Sequence, residues 1–172
     1  MATLTAARAA LTERRGGPSA GGDAKAEERR VRRCVIDASV AAQWYFPESL
    51  TAHADALLAG SCELLAPDLL YLEIAGLLAR RVRLREIDEE GARAVLAELR
   101  QVPFEWTPVS ALVPAALTLA LGADLRLSDS LYLALAMQAD CSLVTADRKL
   151  YEAARAGRFA RHLVWLGDLA PE

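Results

Sequence analysis

Residues 32–39 read Arg32-Arg33-Cys34-Val35-Ile36-Asp37-Ala38-Ser39, and the fold turns on how this stretch is read. A short apolar run rich in β-branched residues and flanked by charge has the pattern of a buried strand, here Arg33 to Asp37. It ends on a carboxylate and passes at once into a short helix through Trp44, which Pro47 stops. A strand that runs directly into a helix is the first half of a βαβ unit.

The same alternation continues downstream. Helix is expected over 51–59, strand over 62–66, and a long helix from Pro67 to about Val82 with proline in its first turn. Asp88 caps a helix to Arg100, with Glu89 and Glu90 in the first turn. Strand follows at 104–107, helix at 110–121, a helix capped at Ser128 running to Ala139, strand at 142–145, helix at 148–156 and a last strand at 162–166. Strands that keep alternating with helices predict an α/β sandwich, with a mostly parallel central sheet covered by helices on both faces.

Composition bounds the rest. The 172 residues suit one domain, and 53% hydrophobic with 25% charged residues excludes a wholly disordered chain. No uninterrupted apolar run approaches the ~18 residues of a membrane span, so a soluble protein without a membrane partner is expected. Cys34, Cys62 and Cys141 form no CxxC pair, which suits a reducing cytoplasm. The net charge of −3 divides into a basic segment 1–33 (+4) and an acidic remainder (−7). Residues 1–31 contain Gly16-Gly17-Pro18-Ser19-Ala20-Gly21-Gly22 and cannot bury a core, so they read as a disordered basic extension ahead of a folded domain at 32–172.

In an open parallel sheet ligands bind beyond the carboxyl ends of the strands, where Asp37 and Asp147 fall; Asp129 opens a helix. Taken singly, each has a plain alternative as a helix-capping or dipole-favoured acid. Glu73 is harder to explain away, its plain alternative being a side chain that snorkels to the helix edge. Its helical neighbours are Leu69, Leu70, Gly76 and Leu77, with no Lys, Arg or His within a turn, and a buried carboxylate without a partner costs several kcal/mol. Four such carboxylates at one sheet edge would repel by about 4 kcal/mol per pair at 4 Å and an effective dielectric of 20, which calls for a cation. All-oxygen donors select Mg²⁺ or Mn²⁺ over zinc. His53 and His162 fit no zinc motif, and phosphate-loop, dinucleotide and GxSxG patterns are absent. Carboxylate-held metal without nucleotide loops points to phosphodiester hydrolysis. A phosphatase of the DxD type is disfavoured because the segment at Asp37 lacks the second aspartate.

The succession VIDAS (35–39), LLYLEIAGLL (69–78), LSDSLYLALA (127–136) and LVTADRKL (143–150) resembles the PIN-domain ribonucleases, in particular the VapC-type toxins of toxin–antitoxin systems, over about residues 33–168. The resemblance implies a PIN-like three-layer fold and a Mg²⁺ site built from Asp37, Glu73, Asp129 and Asp147, with Ser39 and Thr145 as supporting hydroxyls. It also implies an RNA substrate, a small antitoxin partner and a homodimer. Ser130 departs from the alanine common at that position. The competing readings are a PIN nuclease of RNA maturation or decay and a non-catalytic RNA- or protein-binding scaffold. Arg148 and Lys149 beside Asp147, and the basic run Arg80, Arg81, Arg83 and Arg85, are candidate backbone contacts for RNA, against the plainer role of solvated helix ends. Trp44 and Tyr45 could stack on a base, although core packing is the commoner use.

Overall fold

The computed structural model describes residues 33–60, 62–155, 157 and 159–169. The basic segment 1–31 expected as an extension lies outside the described residues. Five strands, β1 (Arg33–Ile36), β2 (Glu63–Pro67), β3 (Phe104–Thr107), β4 (Ser142–Thr145) and β5 (Leu163–Trp165), form one sheet in the order β3-β2-β1-β4-β5. Every pairing is parallel. Cys34, Val35 and Ile36 of β1 are buried in succession, as are Leu64 to Pro67 of β2 and Leu143 to Thr145 of β4. An unbroken buried run, rather than an alternating one, means that both faces of these strands are covered.

The covering helices are α1 (Ala38–Ala41, extended by a 3-10 turn at Ala42–Trp44), α2 (Thr51–Ala59), α3 (Leu69–Arg83), α4 (Glu89–Leu99), α5 (Val109–Ala123), α6 (Leu127–Gln138) and α7 (Arg148–Arg155). The α6 sequence is apolar all round apart from its first turn, and Ser130 through Ala136 are all buried, packed against β1, β2, β4 and α5. In α3, Leu70, Ile74 and Leu78 form the core stripe at i, i+4, i+8. Leu72 is 68% exposed, so α3 is not apolar-buried all round as its sequence suggested, and Glu73 lies at the border of the buried stripe.

Two expected helix starts move. Pro67 closes β2 opposite Thr107 instead of opening α3. Its fixed φ suits an extended residue as well as a first helical turn, and the helix waits until Asp68 has bonded across to β3 and α5 through its N–H to Thr107 O (3.0 Å) and its Oδ1 from Val109 N (2.8 Å). Likewise α6 begins at Leu127 after Arg126, and Ser128 lies inside its first turn. Asp124, in the left-handed conformation (φ 52°) that aspartate tolerates, turns the chain from α5 to α6. Asp88 caps α4 as expected, accepting from Gly91 N at 2.7 Å.

No single helix among the described residues is long and apolar enough to cross a membrane. Only α5 and α6 together pass on length and composition, and they are bent by 114° at their junction.

Candidate active site

The strand order explains why chemistry gathers where it does. From β1 the chain winds outward through β2 to β3, then returns to the other side of β1 for β4 and continues to β5. The connections after β1 and after β4 therefore diverge, and a crevice opens beyond the carboxyl ends of these two neighbours. Asp37 follows β1 and Asp147 follows β4, so both stand at its mouth.

Asp37 occupies the N-cap position of α1, and its carboxylate is shared between Ser39 of that helix and Thr145 at the end of β4. Thr145 Oγ1 donates to Asp37 Oδ2 at 2.6 Å and Ser39 Oγ donates to the same oxygen at 2.7 Å. Each hydroxyl is itself oriented by a backbone donor, Asp147 N to Thr145 Oγ1 at 3.0 Å and Ala146 N to Ser39 Oγ at 2.9 Å. The network leaves Asp37 only 8% exposed with no cation beside it among the described residues. Burial pushes its carboxyl above the usual range; the two hydroxyls pull it back and the Asp147 charge adds to the rise. Asp147 accepts from Lys149 N at 2.8 Å and Leu150 N at 3.3 Å through Oδ1, so it does cap α7.

Glu73 and Asp129 arrive from two helices. Burial raises the Glu73 carboxyl, the Tyr132 hydroxyl opposes this, and the charges of Asp37 and Asp129 add to it. Burial likewise raises Asp129, with Asp37 and Asp147 adding and Arg126 opposing. The four acids thus feel one another through the crevice. Tyr132, 1% exposed, donates its hydroxyl to Glu73 Oε2 at 2.5 Å. Burial and the neighbouring carboxylates keep that phenol protonated far beyond its ordinary range. Sequence reasoning missed Tyr132, although its position was a signal: three residues after Asp129, it shares a helix face with it. Arg126, three residues before Asp129 and acting on it through its charge, was missed for the same reason.

These residues fit a hard divalent cation by donor chemistry: they offer carboxylate oxygens, raised in pKa by burial at Asp37, Glu73 and Asp129, with little positive charge beside them among the described residues. Among the described residues no three His, Cys, Asp or Glu side chains are drawn together tightly enough to enclose an ion as they stand.

The candidate RNA contacts fare unequally. Arg148 lies over the Trp165 ring at 4.1 Å with Glu152 at 3.7 Å, and Lys149 is exposed beside Asp147. Arg81 is engaged by Phe46 at 4.0 Å and Glu86 at 2.9 Å, while Arg80 is exposed. Seven residues, about 10 Å of helix, separate Arg80 from Glu73. Trp44 is 1% exposed and donates Nε1 to Ala54 O at 2.8 Å, and Tyr45 packs on the core, so base stacking by Trp44 is excluded by its burial. His162 is a buried histidine with Nδ1 2.9 Å from Cys141 O.

A parallel α/β sheet with acids at its switch point defines a class of open-sheet folds whose chemistry sits at the carboxyl edge, and the particular family is shown by comparison. Residues 34–156 match the PIN domain, and the chain belongs to this family. PAE2754 from Pyrobaculum aerophilum is similar in structure at 19% identity and a TM-score of 0.58, over 81% of this chain and 93% of that one. A toxin–antitoxin complex from Klebsiella pneumoniae matches at 17% identity and 0.53, over 81% and 98%. VapBC2 from Rickettsia felis, bound to a DNA fragment from their promoter, matches at 13% identity and 0.55, over 77% and 96%. At such identities the likeness is one of fold. No curated protein matches the chain in sequence.

Proposed function

We propose that this chain is a Mg²⁺- or Mn²⁺-dependent ribonuclease acting in the cytoplasm, the toxin of a toxin–antitoxin pair, with Asp37, Glu73, Asp129 and Asp147 as its catalytic acids. The observation that carries the reading is Asp37: a carboxylate 8% exposed, without a cation beside it among the described residues, held by two hydroxyls at the switch point and raised further by the Asp147 charge. A protein keeps so costly a group for a ligand that repays it.

A bound divalent cation would neutralise charge on the scissile phosphate and lower the pKa of water there. Asp37 and Asp129 would hold it, with Glu73 and Asp147 completing the donor set. Ser39 and Thr145 fix Asp37 Oδ2 and with it the orientation of the carboxylate. Tyr132 holds Glu73 in one rotamer and leaves its Oε1 to accept a proton. Arg126 and Lys149 offset the body's negative charge where flanking phosphates arrive, and Arg148, Arg80 and Arg81 are weaker candidates for the same task. The folded domain is taken to span 32–172, with residues 1–31 outside the catalytic unit. The toxin role, a small antitoxin partner and a homodimer rest on the family and on the fold shared with the toxin–antitoxin structures.

The deciding experiment is cleavage of defined RNAs, with matched DNAs as controls, in Mg²⁺ or in EDTA. Cleavage of RNA alone that disappears with EDTA and with Asp37→Asn or Asp129→Asn is expected. Activity indifferent to chelation, or a parent rate in Asp129→Asn, refutes the assignment. Growth arrest on expression, relieved by a co-expressed neighbouring small DNA-binding protein, tests the toxin role separately.

A further inference from the structure

The opposite edge of the sheet, where the strands begin, carries a different constellation. Cys34 in β1 and Cys62, immediately before β2, have their sulfurs in contact at 2.6 Å. Register explains the meeting. Cys34 pairs with Leu64, and Cys62, two residues earlier, shares its parity and so its face of the sheet. Arg33 secures this corner from the neighbouring position, bridging Glu63 of β2 (3.2 Å) and Glu105 of β3 (2.5 Å).

The two thiols differ in access. Cys34 is 5% exposed, whereas Cys62 is half-buried and lines an open cleft of about 710 Å³ with Gly60, Glu63, Pro103 and Phe104. The third cysteine, Cys141, precedes β4 on the far side of β1. This cleft is not the acidic crevice, and nothing in the nuclease reading uses it.

We propose that Cys34 and Cys62 are a dithiol that closes reversibly to a disulfide, Cys62 being the sulfur reached by a small-molecule disulfide in the cleft and Cys34 the resolving thiol. Cys62 gives its proton to solvent and its thiolate attacks the reagent, RSSR; a Cys62–SR bond forms, the reagent's S–S bond breaks and RS⁻ leaves to take up a proton. Cys34, deprotonated in turn, attacks the Cys62 sulfur and expels the second RS⁻. Two protein thiols are oxidised and one RSSR is reduced to two RSH. Because Glu63 and Glu105 flank the cleft, an uncharged disulfide meets less repulsion there than an anionic one.

The test treats the full chain with hydroxyethyl disulfide, quenches with acid, and maps thiols and cross-links by mass spectrometry. The expected result is a fall from three titratable thiols to one, a Cys34–Cys62 cross-linked peptide, and restoration by dithiothreitol. Cys34→Ser should stop at the mixed disulfide on Cys62, and Cys141→Ser should still close. The oxidised wild type should melt higher than the reduced form by roughly 5–10 °C, since a bridge that fits the native sheet restricts only the unfolded chain. Retention of all three thiols, a wild type that halts at the mixed disulfide, a bridge to Cys141, or a melting midpoint lowered by oxidation overturns the proposal; the wild-type map is independent of how any variant folds.

Discussion

Burial holds the Asp37 carboxyl above its ordinary range, and this links its protonation to the stability of the fold. Its folded pKa lies above the unfolded value because burial outweighs the Thr145 and Ser39 hydroxyls. The native chain therefore keeps a proton that the unfolded chain has already released. The stabilising increment is fully present below the unfolded pKa and is lost as pH rises through the folded one. Above the folded pKa the ionised group is a liability, so there Asp37→Asn should raise the metal-free melting midpoint by a few degrees, about 1 kcal/mol for a chain of this size, while RNA cleavage is lost. The gap should shrink on acidification below the folded pKa, and a midpoint unchanged at every pH contradicts the argument. Ser130 gives a second test without catalytic consequence. Its hydroxyl is fully buried with no hydrogen-bond partner among the described residues, which costs about 1–3 kcal/mol. Ser130→Ala should stabilise the protein by about 1 kcal/mol in denaturant titration and leave cleavage unchanged; a loss of stability would mean that the hydroxyl has a partner. Tyr132→Phe keeps the packed ring and removes one proton donor from Glu73. It should reduce cleavage roughly 10–100-fold with secondary structure intact, as for other partners that orient a metal-site ligand. Because Tyr132 acts through Glu73, its loss should also weaken protection by Mg²⁺ against heat, which a purely structural role would leave alone.

At the scale of elements, strands and helices were readable in the sequence where local signals agree. β3 and β4 carry the expected limits and α4 the expected cap, because an apolar run bounded by turn chemistry and an aspartate before an acidic first turn are local facts. The ends that moved, Pro67 and Ser128, are places where a residue suits two states and a distant contact decides: Asp68 reaching Val109, and Arg126 rather than Ser128 preceding α6. Asp37, Glu73, Asp129 and Asp147 were visible as acids in unusual places. The hydroxyl bridge was only half visible, since nothing local says that Thr145 on β4 meets Asp37 after β1, more than a hundred residues earlier. Thr145→Val preserves shape and removes that bridge. It frees Asp147 N and leaves Asp37 Oδ2 to Ser39 alone, so it should cost about 1–3 kcal/mol of stability and lower cleavage together, measured by denaturant unfolding and RNA turnover. If turnover alone fell, the hydroxyl would be acting on substrate and not on the fold.

For the whole molecule the decisive fact is the strand order, which no local signal encodes: the pairing of β1 with β4 across the rest of the chain is what brings Asp37 and Asp147 to one crevice. The domain's negative charge is then not spread evenly in its effects. Three of the four acids are raised in pKa mainly by burial and also by one another, so the site holds excess charge that folding must carry. A ligand that binds only the folded chain and cancels this charge stabilises by mass action, by about 2.7 kcal/mol at a hundredfold excess over its dissociation constant. Mg²⁺ should therefore raise the melting midpoint of the wild type by several degrees, in proportion to the logarithm of its concentration, and EDTA should reverse the shift. The same titration on Asp37→Asn should start from a higher midpoint and climb little, because the variant has lost both the repulsion and a ligand for the ion. Competing explanations separate on this pair of curves: general screening by salt would raise both proteins alike and would be reproduced by Na⁺ at equal ionic strength, whereas a site at the crevice raises only the wild type and only with a divalent ion. Parallel curves for the two proteins would leave the four carboxylates as structural acids and remove the physical basis of the nuclease assignment.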